Sequence, residues 1–229
     1  MTDEQLSSTM RDYLVQIYEL GELAQDAEYV GTSELADALG VSAPAVNRMV
    51  TKLRELDLLH HERYQGIVLT ETGEREALKQ LRRQRIAEAF LVEVMGFGWH
   101  EVYAEAAQLG SALDEKVLQR MLEMAAGPTR SPHGAPIPAI DGTLAAVSDV
   151  LLTEAEPGHT YEITQVLTRE SDRLAYLAAL ELKPGRQFQL LHAAPFNGPM
   201  QLQLEREYRI IGYNLAEMIR VQRATDQDG

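Results

Sequence analysis

The side chains best suited to chemistry lie between residues 42 and 65, and that chemistry is recognition of nucleic acid rather than bond making. Ser42, Pro44, Ala45, Asn47, Arg48, Thr51 and Lys52 are left on the outer side of a helical pattern. Its inner side is Val46, Met49, Val50, Leu53 and Leu56. Arginine and lysine suit phosphates and guanine edges, asparagine suits adenine, and the small Ala45 lets a thymine methyl approach. Arg63, Tyr64 and Gln65 would extend the same surface from the turn of a hairpin. Other candidates are weaker. His60 and His61 are neighbours in an extended segment, so they point to opposite faces and do not chelate one ion. His100 is read one helical turn before Tyr103, with Glu101 and Glu105 paired at i, i+4; a solvated helix face explains those residues equally well. Lys79, Arg82, Arg83 and Arg85 are either phosphate contacts or, by default, another solvated face. There is no cysteine, so disulfides and thiolate metal sites are excluded. No nucleophile elbow, phosphate loop or zinc-protease helix is present, which argues against an enzyme.

The elements that must position these residues are legible from local signals. Residues 33–39 and 44–56 read as two helices separated by Gly40, with Ser42 as the cap and Pro44 in the first turn, where its missing N–H has no partner to lose. This is the pattern of a helix-turn-helix, and residues 58–69 add a two-stranded wing turning at 64–66. Before it, residues 6–24 read as a helix and 25–28 as a polar loop. After it, one long helix is expected over 72–95, then helices at 99–109 and 114–126. The face of the first of these is Val102, Ala106 and Leu109, that of the second Val117, Met121 and Met124; this short pair reads as a dimerisation unit. Residues 127–142 read as a Pro/Gly-rich linker. Beyond it strands are expected at 161–168, 188–192, 200–204 and 219–222, with helices at 172–180 and 214–218, as in a small barrel. The expected organisation is a winged-helix domain (1–72), a helical dimerisation and metal-sensing domain with its linker (73–142), and an SH3-like domain (143–229), with a loose acidic tail.

Of all residues, 45% are hydrophobic and 24% charged, which is ordinary for a globular chain. No run is apolar enough to span a bilayer and no signal peptide opens the chain, so a cytoplasmic location without membrane partners is expected. The net charge of −14 opposes DNA binding if spread evenly, but it is not. Residues 1–44 hold one basic against nine acidic side chains, 45–85 nine against six, and the remainder 11 against 20. The one net-basic stretch contains the recognition candidates.

Four stretches together resemble the metal-dependent repressors typified by the diphtheria toxin repressor, the iron-dependent regulator and the manganese transport regulator. They are Asp12-Tyr13-Leu14 with Ile17-Tyr18-Glu19-Leu20, the winged helix with Leu69-Thr70 and Gly73, Glu105-Ala106, and Ser131-Pro132-His133-Gly134-Ala135-Pro136-Ile137-Pro138. Leu182, Pro184 and Gly185 resemble the third domain of the longer members. The resemblance implies a mainly α fold with a small β domain: winged helix-turn-helix, helical dimerisation domain and C-terminal SH3-like, FeoA-like β-barrel. It also implies a homodimer on a palindromic double-stranded operator, regulating manganese or iron homeostasis under control of a divalent metal, Mn2+ or Fe2+.

Carried over position by position, the implied metal ligands are largely replaced. The first N-terminal ligand falls on Asp12 and the second on Val15. The long-helix histidine falls on Gln84, while the glutamate one turn later is kept as Glu88. The dimerisation-helix positions hold Tyr103, Ala107, Gly110 and Ser111. The third-domain pair holds Glu170, kept, and Arg173. Three readings stay open: a rewired site of Asp12, Glu88 and Glu170 with His100 as substitute; Arg173 bridging Glu88 and Glu170 in place of an ion; or control by another ligand or none.

Overall fold

The computed structural model describes residues 6–23, 29–62 and 64–224. They divide into two compact units: Met1–Gln84 with Gln108–Asp114 and Ile137–Leu144, and Arg85–Ala107 with Glu115–Pro136 and Ala145–Gly229. The expected loop at 25–28, Arg63 and the tail after Ala224 lie outside the described residues.

In the first unit α1 (Ser8–Leu23), α2 (Thr32–Leu39) and α3 (Ala43–Glu55) pack around Leu14, Leu35, Val46, Val50 and Leu53. The 3.6-residue spacing of these apolar side chains is what turns one face of each helix inward. Gly40 ends α2 in the left-handed region (φ 63°), its N–H turned back to Ala36 and Asp37. Ser42 stands at the N-cap of α3, but its side chain makes no capping bond. The wing is an antiparallel hairpin, β1 (Leu59–Glu62) with β2 (Gly66–Leu69), in the register Leu59↔Leu69 to Glu62↔Gly66. Val30 adds a short third edge by exchanging two backbone bonds with Ile67, at 2.8 and 2.9 Å.

The wing is tied to the next element by Thr70. Its N–H donates to Leu58 O, its hydroxyl to Asp57 O, and the hydroxyl accepts from Gly73 N–H. α4 (Glu71–Glu93) therefore starts against the end of the motif, so closely that a Cβ on Gly73 would lie 1.8 Å from the Leu58 carbonyl oxygen. Only glycine fits there.

α4 is buried through its middle on nearly every side. Gln80, Arg82, Gln84, Arg85 and Glu88 are enclosed together with Leu81, Ile86 and Ala87. Polar groups removed from water must find partners, and the arginines find backbone carbonyls. Arg82 donates to Pro138 O (3.0 Å), and in the second unit Arg85 donates to Pro136 O (2.7 Å). Residues 131–138, expected as linker, are thereby an ordered strap; Ser131, His133 and Ala135 are buried. Neither phosphate contact nor solvated face describes Arg82 or Arg85, and Lys79 is spent on Glu76.

The second unit also holds α6 (Glu115–Met124) and a six-stranded antiparallel sheet ordered β3-β8-β4-β5-β6-β7. Its strands are β3 (Val150–Leu151), β4 (Thr160–Val166), β5 (Gln187–Ala193), β6 (Met200–Leu204), β7 (Glu207–Ile211) and β8 (Ile219–Arg223). α7 (Ser171–Ala179) closes one side through Leu174 and Leu177, over a core that includes Ile163, Leu190, Leu202 and Val221. Register shifts at Ile163/Gln165 and Leu190/His192 bend the sheet as barrel-like sheets require. α6 buries Leu118 and Met121, not the expected Val117 and Met124, which are 42% and 52% exposed. α5 (Tyr103–Ala112) starts four residues later than expected. Trp99 is drawn into the core, and Glu101 Oε1 accepts the Gly98 N–H, holding 98–101 as a turn.

Replacing Gly73 with Ala should destabilise the protein by about 1–3 kcal/mol, the usual cost of forcing extra atoms into a packed site. Urea unfolding followed through the first unit checks this, and an unchanged midpoint would mean that α4 can back away at no cost.

Candidate functional site

The structure places the recognition candidates of α3 along one side of that helix. Ser42, Pro44, Asn47, Arg48, Thr51 and Lys52 are exposed along α3, and Ala45 is half-buried between them. The opposite face, Val46, Val50 and Leu53, is sealed in the core, so this side of the helix cannot rotate away. Thr51 spends its hydroxyl proton on Asn47 O at 2.8 Å, which leaves oxygen lone pairs for an outside donor. In the wing, Tyr64 is 92% exposed in a left-handed turn (φ 68°), with Gln65 exposed beside it. Arg63 lies outside the described residues.

The metal candidates do not assemble. Among the described residues no three His, Asp or Glu side chains stand close enough to share an ion. Asp12 belongs to the first unit, on the exposed side of α1; partial enclosure of its carboxyl group raises its pKa above the ordinary value. Glu88, His100 and Glu170 belong to the second. His100 sits in the 98–101 turn with its ring against Gly98, not one helical turn before Tyr103, so the expected substitute is misplaced. Arg173 does not bridge Glu88 and Glu170. It pairs with Glu170 (2.8 Å, Arg173 half-buried and Glu170 exposed) and reaches Met218 Sδ.

Glu88 has instead a partner the sequence reading passed over. His133, from the strap, places Nδ1 3.4 Å from Glu88 Oε2 and Nε2 2.7 Å from the Trp99 carbonyl. A carbonyl only accepts, so Nε2 carries a proton, and Nδ1 donates to the carboxylate only in the imidazolium form. Trp99 stacks on the ring at 5.3 Å, and Lys183 stands over Trp99 at 5.4 Å. Nearby in chain terms, Tyr103 lies under the Arg169 guanidinium at 4.1 Å. The charged end of Arg169 is enclosed although the residue as a whole is half-buried, and loss of water lowers its pKa to about 9, still cationic at neutral pH. The signal for His133 was present: it is the one titratable residue inside the segment that carried the family resemblance most specifically.

Comparison with known proteins matches three family models in chain order. They are the iron dependent repressor N-terminal DNA binding domain at residues 5–67, the iron dependent repressor metal binding and dimerisation domain at 70–139, and the FeoA domain at 150–223. The iron-dependent repressor IdeR of Mycobacterium leprae is 32% identical over 160 residues, 67% of this chain and 68% of that protein. The IdeR of Mycobacterium tuberculosis is 34% identical over 136 residues, 59% of this chain. The match spans 58% of the length of that mycobacterial relative. A solved manganese-dependent transcriptional repressor in complex with manganese superposes with a TM-score of 0.83 at 29% identity, covering 94% of this chain and all of the other.

Removing His133 takes one hydrogen bond from the buried Glu88 carboxylate and one from the enclosed Trp99 carbonyl. His133→Ala should therefore lower stability by about 2–4 kcal/mol, while the double change His133→Phe with Glu88→Leu should recover most of it. Thermal unfolding at neutral pH separates the two; equal loss in both variants would show that ring packing, not the polar pair, matters.

Proposed function

This chain belongs to the iron-dependent repressor family, and from that premise we propose that it is a dimeric, sequence-specific DNA-binding transcriptional regulator of manganese or iron homeostasis, responsive to Mn2+ or Fe2+. The observation that carries the DNA reading is the α3 face: exposed Asn47, Arg48, Thr51 and Lys52, backed by a buried stripe that fixes their direction. In this reading α3 enters the major groove, with Arg48 and Asn47 on base edges and Lys52 on a phosphate. The wing lays Tyr64, Gln65 and Arg63 along the backbone.

One winged helix touches too few bases to be selective, so a homodimer on a palindromic operator is part of the proposal. The dimerisation model matched at 70–139 supports it, as do the exposed apolar side chains Val94, Met95, Val117 and Met124 of the second unit. The metal response is proposed from the family. Asp12, Glu88, Glu170 and His100 do not by themselves make a ligand set, and no step of DNA binding is routed through an ion. Among the described residues no helix is long and apolar enough to cross a membrane.

The test is a titration of a DNA site selected from a random library, with chelator, Mn2+, Fe2+ or Zn2+, beside metal analysis of the purified protein. Tighter binding with Mn2+ or Fe2+ is expected, and identical affinity in all four conditions would remove metal control. Arg48→Ala should cost about 1–3 kcal/mol of operator affinity at matched salt. Lys52→Ala should reduce the steepness of the log Kd against log salt plot by about one unit per half-site. Affinity unmoved by Arg48→Ala would sink the groove assignment.

A further inference from the structure

Arg83 points from α4 to the end of α5. Its Nε donates to the Gly110 carbonyl at 3.1 Å and its Nη2 donates to the Leu113 carbonyl. Gly110 lies in the last turn of α5, where carbonyls have no partner inside the helix and the helix dipole gathers negative charge. One planar guanidinium thus satisfies two carbonyls that the helix end leaves exposed. The two helices meet backbone to backbone at this point: a Cβ on Gly110 would stand 2.9 Å from the Arg83 carbonyl group and 3.0 Å from the Gln84 nitrogen. Ser111, the next residue, has its hydroxyl committed to Gln108 O at 2.8 Å. All of these residues belong to the first compact unit.

Gln84, Gly110 and Ser111 are three of the positions onto which the family resemblance places metal ligands. Glycine supplies no side-chain donor, and the backbone of α4 leaves no room for one. A Mn2+ or Fe2+ ion wants roughly four to six oxygen or nitrogen donors, with carboxylate and imidazole prominent. These residues do not fit it. We propose that Arg83 is the resident cation of this position, a permanent guanidinium that holds the C-terminal half of α5 on α4 whether or not metal is present. Metal is then not what orders this segment, and any metal response of the protein acts elsewhere. The inference rests on the contacts of α4 and α5 and stands independently of the DNA reading.

Amide hydrogen exchange of the full chain, read over residues 108–113, tests it. In chelator, the wild-type segment should be protected, and adding Mn2+ or Fe2+ should leave that protection unchanged. Arg83→Gln should speed exchange there by at least ~10-fold while α3 amides keep their rates, as expected for a local opening. Arg83→Lys, which keeps the charge but loses the two-pronged donor, should fall between them. Should Arg83→Gln fail to fold, Gly110→Ala gives the same readout by forcing the backbones apart. Protection that appears only on adding Mn2+ or Fe2+ overturns the proposal, and so does an unchanged rate in Arg83→Gln. A protein that binds no selected DNA in any condition defeats the regulator reading and leaves this result untouched.

Discussion

The need of buried backbone carbonyls for donors shapes this molecule more than any other single constraint. Residues 131–138 hold three prolines, each lacking an N–H, and a stretch of that composition cannot complete a sheet ladder. Lodged against α4, its carbonyls would be stranded at a cost of about 1–3 kcal/mol each. Arg82 and Arg85 answer Pro138 and Pro136, Arg130 answers Gly134, and Arg83 answers the end of α5. Charged donors make stronger bonds than neutral ones, and arginine stays protonated even when enclosed. The buried arginines of α4 are therefore compatible with burial because the strap and the α5 end bring them backbone acceptors.

That arrangement also revises the electrostatics. The one net-basic stretch of an acidic chain holds nine Lys or Arg, and among the described ones several are spent on partners within the protein. Arg82 and Arg85 are buried, Arg83 is bonded to carbonyls, and Arg75 and Lys79 pair with Glu71 and Glu76. Arg48, Lys52 and Arg54 remain exposed on α3. Three exposed cations on α3, on a body of charge −14, make only a small positive field for non-specific attraction to DNA. Under the proposed reading of α3, selectivity would come from base contacts by Asn47 and Arg48 and from doubling of the site, rather than from a broad positive field.

How much of this the sequence discloses follows from how local each signal is. The helix-turn-helix and wing were legible because Gly40, Pro44 and the turn at 64–66 act on their immediate neighbours, and the apolar stripe of α3 repeats cleanly. β7 escaped notice because Glu205, Arg206, Glu207 and Arg209 make an edge strand look like a solvated loop. The turn before it uses a left-handed glutamate (φ 53°) where glycine would have signalled. His100 was misread because Trp99 obeys a distant core and the 98–101 backbone follows it. The arginines of α4 carry no local mark at all; the clue was on the other side, in a proline-rich stretch with acceptors to satisfy. Residues 131–138 were noticed as a family mark and dismissed as a linker, and His133 was lost with them.

The same reasoning narrows where sensing can reside. A guanidinium is held covalently and cannot be exchanged, so Arg83 at the α5 end and Arg169 over Tyr103 put tethered cations beside positions the resemblance gives to metal ligands. Fixed charges set a geometry; they do not report on the surroundings. A response requires atoms that can change state. Within the second unit the enclosed polar groups include Glu88 and His133, one carboxylate and one imidazole whose second nitrogen is already fixed by the Trp99 carbonyl, and the Asp149 carboxylate beside Arg220. Their burial makes loss of a partner costly, because an interior that loses a hydrogen bond must rearrange. α4, which carries Glu88, begins at Glu71, and its Gly73 packs against the Leu58 carbonyl just before the wing, so the same helix that needs acceptors in its middle tolerates no side chain at its start.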